Sequence, residues 1–266
     1  GWYRELAGDR IIRICAEEGI SATATAATGE ELGPQPDGSV LAILQDVAST
    51  DHGLMYDSTG RVVYVARAEL YNLTADMALD FNAGDIQPDW QADDDDQQIR
   101  NQVTASRPGG STGATYTQTA GPRGTGAIGF YSESLSVNVA DDAQLYTHAG
   151  WRVGLGTVDD FRLPQIPLNF ARSPGLITSW LAAGIGSRIT AANPPSELPG
   201  GTLDLQVVGY SEYITPRNWA AVLNTVPNRP YTVIVLDGSA NTSRLETGGS
   251  KLSGAHNSTT TSLSVE

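Results

Sequence analysis

The residues whose type and spacing most directly suggest chemistry are four consecutive aspartates: Asp93, Asp94, Asp95 and Asp96. Such a run could bind a cation, supply acid catalysis or form a charged surface. A calcium loop needs glycine at its sixth position and glutamate at its twelfth, but counting from Asp93 these positions hold Gln98 and Thr104. A catalytic carboxylate pair needs two different environments, whereas four neighbours in one turn titrate alike. The run therefore indicates a solvated turn or an acidic surface, with an irregular cation site as the third alternative.

Two glycine-rich motifs also match chemical signatures. The segment "GTGAIG", residues 124–129, fits a dinucleotide-binding pattern that needs a strand before it and a helix after it, but here it leads into a strand-like segment. The segment "GGSTG", residues 109–113, fits a nucleophile elbow, but it lies in a polar loop without the flanking strand and helix of such a turn. Both patterns predict loops rather than a cofactor site or a nucleophile.

The histidines and the cysteine give no metal-binding pattern. His52, His148 and His256 fall in unrelated contexts, without the short spacings of zinc ligands. His52 follows the end of a predicted helix, where a cation would interact favourably with the helix dipole. Cys15 is the single cysteine of the sequence, and its place on an apolar helical face predicts a core residue. We expect no metal, no cofactor and no enzymatic activity.

The composition argues against nucleic-acid binding and against a membrane span. The 266 residues carry a formal net charge of −14. A chain this acidic lacks the cationic surface that binds phosphates, although it could let DNA pass by repelling it. No run approaches the roughly 18 apolar residues of a membrane-spanning helix. The length predicts one or two domains, and we expect the chain to be part of a longer protein.

The first 84 residues predict a small α/β module. Apolar spacing predicts a helix over residues 2–18, ending near Gly19, and a second helix with Ser39 as its N-cap. The segment "GLMYDSTGRVVYVAR" predicts a β-hairpin. The segment "MALDF" predicts a strand that closes the module.

The following residues predict a β-rich domain with inserted helices. The predicted strands are "IRNQVTASR", "SLSVNV", "FRLPQIPLNF", "SRITAA", "TLDLQVVGYSEYI" and "NWAAVLNTV". The prolines of the third segment predict an edge strand, because proline cannot donate to a ladder. Asp141 is a predicted helix cap, and Pro174 marks the start of a second helix. A long Gly/Ser/Thr segment, predicted to be a loop or a flexible hairpin, separates the first two strands.

These elements predict an α+β fold in three parts. Residues 1–84 form the helix–hairpin module. Residues 85–236 form a tube-type β-barrel or sandwich with helical insertions. Residues 237–266 are predicted to be a polar linker and the start of a further module.

Several longer segments each combine recognisable elements in a fixed order. The run "SVLAILQDVASTDHGLMYDSTGRVVYVAR" followed by "AELYN" combines a helix, a hairpin and an arginine-flanked strand. The run "PDWQADDDDQQIRNQVTASRPGG" combines an acidic turn with a strand, and "VVGYSEYITPRNW" opens a hairpin. Together with the ending after residue 243, these segments resemble minor tail proteins of tailed phages, especially phages of actinobacteria. The resemblance covers most of residues 39–266.

This resemblance implies a structural virion protein of the tail tip, of the tail-tip or baseplate hub type. Such hubs form a ring, commonly a trimer, from tube-type β-barrels that continue the tail tube. The ring contacts the distal tail, tape measure and fibre or receptor-binding proteins, and DNA passes through it without being bound. In such a ring, some of Asp93 to Asp96 would face the lumen or its rim.

Two other functions stay open at this point. A receptor- or cell-wall-carbohydrate-binding tail module could stack sugars on tryptophans. Trp151, Trp180 and Trp219 fall on periodic apolar faces, which favours a core or interface role for these three and leaves Trp2 and Trp90. A tail-associated peptidoglycan hydrolase is the second alternative, although such activities often lie in separate domains.

Overall fold

The computed structural model describes residues 3–93, 96–159, 162–196, 198 and 201–233, without the side chains of Asp93 and Asp96. Contacts divide the chain into Gly1–Tyr231 and Thr232–Glu266, and the elements belong to the first unit. The helices are α1 (Ala7–Glu17), α2 (Val40–Asp51), α3 (Thr125–Ile128), α4 (Leu145–Gly156) and α5 (Ile177–Ala182). The predicted linker after residue 236 lies outside the described residues.

The strands are short except in the longest hairpin. They are β1 (Glu5–Leu6), β2 (Ala22–Thr23), β3 (Glu31–Leu32), β4 (Leu54–Asp57), β5 (Val62–Val65), β6 (Ala75–Asp80), β7 (Gln91–Asp93), β8 (Gln102–Ser106), β9 (Ala114–Thr117), β10 (Ser132–Ser136), β11 (Arg162–Asn169), β12 (Arg188–Ala192), β13 (Leu203–Thr215) and β14 (Asn218–Pro227).

The helix–hairpin arrangement near the N-terminus follows local signals. Helix α2 begins after Ser39, whose Oγ accepts a hydrogen bond from the Ala42 amide at 3.3 Å, as the N-cap prediction requires. Helix α1 begins at Ala7, later than predicted, and buries Cys15 in a core with α2 and the β4–β5 hairpin. A backbone hydrogen bond connects this part of the chain to a later segment: the Gly33 amide donates to the Asn138 carbonyl at 2.7 Å.

A six-stranded sheet holds the largest core. Its order is β6-β12-β13-β14-β11-β7, and β6 runs parallel to β12 while the other neighbours are antiparallel. The strand in "MALDF" is therefore present, but its partner lies more than 100 residues further along the chain. Inward-facing residues such as Ile166, Leu205 and Leu223 are almost fully buried.

The edge position predicted for "FRLPQIPLNF" is wrong. Strand β11 lies between β14 and β7. The register with β7 shifts between Arg162 and Gln165, around Pro164. The carbonyl of Pro167 accepts a hydrogen bond from the Gln87 amide at 2.9 Å, outside the ladder with β14. The sheet accommodates both prolines because its β7 side is irregular.

A smaller sheet carries helix α4. Its order is β10-β8-β9, so the predicted long loop contains one strand of a hairpin with β8. The Asp141 side chain accepts a hydrogen bond from the Ala143 amide at 3.0 Å, which confirms the predicted cap before α4. Leu145, Ala149 and Val153 of α4 are buried against this sheet.

The α+β class is confirmed, since helices and several sheets alternate along the chain. The predicted tube-type barrel is not found as a closed barrel: in the described residues, the large sheet ends at β6 and β7. The division at residue 84 remains a prediction. None of the described helices has the length and apolar composition of a membrane-spanning segment.

Candidate subunit interface

The β13–β14 hairpin presents large apolar side chains to solvent. Residues 210–214 are all exposed, although successive residues of a strand point to opposite faces. Tyr213 is 65% exposed and Ile214 is 67% exposed. We call the set Leu181, Tyr210, Tyr213 and Ile214 the hairpin surface. Because the adjacent residues Tyr213 and Ile214 are exposed on opposite faces of this strand end, the hairpin surface is a candidate contact for another protein.

Aromatic packing fixes the base of the hairpin surface. The indole Nε1 atoms of Trp180 and Trp219 donate to Glu212 Oε1, at 2.7 and 3.0 Å. The Phe170 ring packs against both, with centroid distances of 5.8 Å to Trp180 and 4.9 Å to Trp219. The Tyr210 ring meets Trp180 edge-on at 5.0 Å. These contacts hold the base of the hairpin against α5. Trp180 is buried, as predicted for a core or interface residue.

A buried charge network connects elements of the N-terminal part of the chain. Arg67 is 6% exposed, and its guanidinium pairs with Glu30. The Asp51 carboxylate accepts hydrogen bonds from the Glu30 amide at 2.9 Å and the Arg67 amide at 3.1 Å, and from the Tyr64 hydroxyl. Burial raises the pKa of both Asp51 and Tyr64. These groups tie the end of α2 to strands β3 and β5.

The role predicted for His52 is wrong. His52 does cap the C-terminus of α2, with φ of 57°. Burial, followed by the positive charge of neighbouring groups including Arg67, lowers the pKa of His52 to about 3. The imidazole is therefore neutral near pH 7 and supplies no cation to the helix dipole. Sequence spacing could not predict the buried environment of His52, because its neighbour His148 lies 96 positions further along the chain.

The acidic run lies beside an edge strand. Asp93 ends β7, and Asp96 begins a short 3₁₀ helix. Asp94, Asp95 and the side chains of Asp93 and Asp96 lie outside the described residues. The expectation that some of these carboxylates face a lumen therefore stays a prediction. Strand β7 pairs only with β11 among the described strands.

The loop prediction is confirmed for "GGSTG". It is wrong for "GTGAIG", because Thr125–Ile128 form the short helix α3, which has only four residues. In "GGSTG" the Ser111 hydroxyl donates to Asp142 at 2.8 Å, and Asp142 also pairs with Arg107. The described residues contain no group of three or more His, Cys, Asp or Glu side chains that could hold a metal ion.

Three solved structures share this fold. The 43 kDa tail protein of prophage MuSo2 from Shewanella oneidensis aligns with a TM-score of 0.55 and 13% identity over 87% of this chain and 65% of its own. The tail protein from Neisseria meningitidis MC58 aligns with a TM-score of 0.56 and 10% identity over 87% of this chain and 71% of its own. A chain of the native gene transfer agent virion aligns with a TM-score of 0.52 and 14% identity over 85% of this chain and 48% of its own.

The likeness is one of fold. No protein-family profile and no curated protein matches the chain, and identities of 10 to 14% show only a shared architecture. The chain spans about two thirds of the Shewanella protein. The architecture is thus one found in tail proteins, and the hairpin surface is the feature that sequence analysis missed. The sequence feature that could have identified this surface is the adjacent pair Tyr213–Ile214, which places apolar side chains on both faces of one strand.

Proposed function

We propose that this protein is a structural component of a phage tail, a tail-tip or baseplate hub subunit whose copies form a ring around the path of the DNA. The hairpin surface is the observation that carries the proposal. It exposes Tyr213, Ile214 and Leu181, each at least 65% accessible, on the described part of a fold shared with two bacterial tail proteins. Burying one such side chain contributes roughly 1.5–3 kcal/mol, so a few are enough to stabilise a subunit contact.

A head-to-tail contact suits this surface. The hairpin surface of one copy packs on a different surface of the next copy, and such heterologous contacts close into rings. In the proposed ring, which is the trimer that the family resemblance implies, the sheets lie side by side and complete a tube wall. We place the distal tail, tape measure and fibre or receptor-binding proteins against this ring, at the tip of the virion tail.

Charge supports a conduit rather than a DNA-binding role. The net charge of −14 disfavours contact with phosphates, and arginines of the described residues are largely neutralised, as in Arg188–Asp204 and Arg152–Glu133. We propose that the acidic run from Asp93 to Asp96 lines the lumen or its rim. DNA then passes through the ring without binding to it.

The oligomeric mass of the purified 266-residue chain tests the proposal. We expect a concentration-dependent trimer in light scattering after size exclusion. Association should strengthen with added salt, because copies of like charge repel less as the Debye length falls to about 8 Å at 0.15 M. The double substitution Tyr213→Ser and Ile214→Ser should leave a monomer.

Phe130→Ser is the matched control, since Phe130 is 68% exposed but lies outside the hairpin surface. This variant should associate like the unmodified chain. A chain that stays monomeric at all concentrations and salt levels, or a contact insensitive to the double substitution, would contradict the proposed interface.

A further inference from the structure

A second surface feature is an open pocket where four connecting segments meet. Phe81 follows β6, Trp90 precedes β7, Arg172 lies just after β11, and Asn193 follows β12. The pocket has a volume of 610 Å³, which is enough for one or two sugar rings. None of its lining residues belongs to the hairpin surface.

Two aromatic rings form a corner in this pocket. The Phe81 and Trp90 rings are nearly perpendicular, at 83°, with centroids 5.8 Å apart. Both residues pack against the main core and are half-buried. Pro194 and Pro195 form another wall. The aromatic corner is therefore held in place before any ligand binds, which lowers the entropy cost of binding.

The polar groups of the pocket are also fixed. The Asn193 Nδ2 atom donates to both carboxylate oxygens of Asp80 at 3.0 Å, and Asp80 also accepts from the Asn82 amide at 2.8 Å. Asn193 has a φ of 54°, a conformation that asparagine tolerates better than most residues. Its Oδ1 atom remains an acceptor, and the exposed Asn82 side chain offers both a donor and an acceptor.

Arg172 differs from the paired arginines of the chain. Its side chain is exposed and lines the pocket, and it forms no salt bridge with any described carboxylate, in contrast to Arg188 with Asp204. Its Nη2 atom lies 3.6 Å from the position that a side chain on Gly84 would take. Because the Arg172 side chain is exposed, its guanidinium donors are accessible to a ligand.

The charge around the pocket selects a neutral ligand. Asp80, Asp85 and Asp89 lie in or beside the segment that forms one wall, whereas Arg172 is the one cationic side chain among the described residues that line the pocket. An anionic polymer would therefore be repelled locally, at distances within the Debye length of about 8 Å. Amide groups, a guanidinium and an aromatic corner are instead suited to hydroxyl groups and to the apolar face of a pyranose ring.

We propose that this pocket is a saccharide-binding site that takes a neutral pyranose, such as a hexose or an N-acetylhexosamine unit. Trp90 stacks on the ring, and Arg172 and Asn193 bind its hydroxyl groups. The proposal goes beyond the ring-forming role and does not depend on it. A tail protein with such a site would make a weak, repeated contact with a glycan surface.

The test is a titration of the full 266-residue chain, followed by the indole signals in nitrogen–proton correlation spectra. The probes are the β-1,4-linked tetramers of N-acetylglucosamine and of glucose, with tetragalacturonate as an acidic probe and a tetraglutamate peptide as a protein-like one. We expect the Trp90 indole signal, identified with Trp90→Phe, to shift with a Kd of about 1 mM for at least one neutral tetramer. The acidic probes should leave it unchanged.

Variants locate the site. Arg172→Ala should weaken binding about tenfold, measured from the Trp90 indole signal. Trp90→Ala and Trp90→Phe lack that signal, so their binding is measured from the backbone amide of Asn82, which lines the pocket. Trp90→Ala should weaken binding about tenfold, and Trp90→Phe should retain most of it. Arg217→Ala and Phe130→Ala are the matched controls, because both residues are exposed and lie outside the pocket and the hairpin surface. If Trp90→Ala fails to fold, Arg172→Ala carries the test.

Three results would overturn the site: no shift with either neutral tetramer at 20 times the expected Kd, tighter binding of an acidic probe, or binding unaffected by Arg172→Ala. These outcomes are independent of the oligomeric mass. A failure here leaves the ring proposal standing, and the reverse also holds.

Discussion

His148 Nδ1 lies 3.4 Å from His52 Nε2, although the two residues are 96 positions apart. His148 is fully buried on α4, and its Nε2 atom is 3.8 Å from Glu30 Oε2, beyond hydrogen-bond distance. The two imidazoles therefore join the C-terminus of α2 to α4. The positively charged neighbours Arg67 and Arg152 both disfavour a proton on His52, so this junction depends on pH.

Acidification should destabilise the fold through His52. The pKa of His52 falls from its ordinary 6.5 to about 3 on folding, so the unfolded chain binds the proton more readily. The stabilisation is complete above pH 6.5 and is lost as the pH falls from 6.5 towards 3, at up to about 1.4 kcal/mol per pH unit. Urea unfolding at several pH values between 7.5 and 4.5 measures this slope.

His52→Asn is the informative variant, because asparagine accepts the left-handed backbone at this position but does not titrate. We expect its unfolding free energy to be nearly flat between pH 6.5 and 5. Below about pH 4.5 a further loss should remain in both proteins, since His148, Gln144 and Arg67 lower the pKa of Glu30 to about 2. An unchanged slope in the variant above pH 5 would show that His52 is not the responsible group.

Two adjacent glutamates should differ sharply in their contribution to stability. Glu30 is the partner of Arg67, whose side chain is 7% exposed, whereas Glu31 pairs with Arg4 at a site where both side chains are nearly half exposed. Glu30→Gln leaves a buried guanidinium without its counter-charge and should cost about 3 kcal/mol. Glu31→Gln should cost less than about 1 kcal/mol. Urea unfolding at pH 7 compares them, and equal losses would contradict the buried network.

Glu212 should anchor the hairpin through its two indole hydrogen bonds. Glu212→Ala leaves the Nε1 atoms of Trp180 and Trp219 without this acceptor and should lower the unfolding free energy by about 1–2 kcal/mol. Glu212→Gln keeps a carbonyl acceptor and should lose less. The readout is urea unfolding followed by tryptophan fluorescence. Glu18→Ala, at an exposed helix end, is the control, and a loss no larger than in this control would show that the contact is not stabilising.

Local sequence signals account for the elements that depend on neighbours in the chain. The caps at Ser39 and Asp141 and the β4–β5 hairpin were predictable, because their donors, acceptors and turn residues lie within a few positions. The burial of Cys15 followed from helical spacing. In the candidate interface, Trp180 was predictable as a core or interface residue for the same reason.

The remaining features depend on distant partners. The pairing of β6 with β12, the neutral state of His52 and the position of β11 inside its sheet each require a segment that sequence spacing does not identify. The pocket at Trp90 brings together four strand ends. Its residues carry no shared motif, so only the folded chain shows that they meet.

The acidic run should affect DNA passage more than folding. Replacing Asp93, Asp94, Asp95 and Asp96 with asparagine removes repulsion between neighbours, so the unfolding free energy should stay within about 0.5 kcal/mol of the original or rise slightly. In assembled particles, DNA release should slow at about 10 mM salt, where the Debye length is 30 Å, and the difference should shrink at 150 mM, where it is 8 Å. Release can be followed with a DNA-binding dye outside the particle.

The control replaces four exposed carboxylates elsewhere by their amides, namely Glu18, Asp37, Asp57 and Asp76. This variant has the same net charge as the first, so a general charge effect would slow release equally in both. A lumen-facing run requires a salt-dependent delay in the first variant alone. Equal release from both variants, or an assembled ring with all four aspartates on its outer wall, would leave the run as a solvated turn.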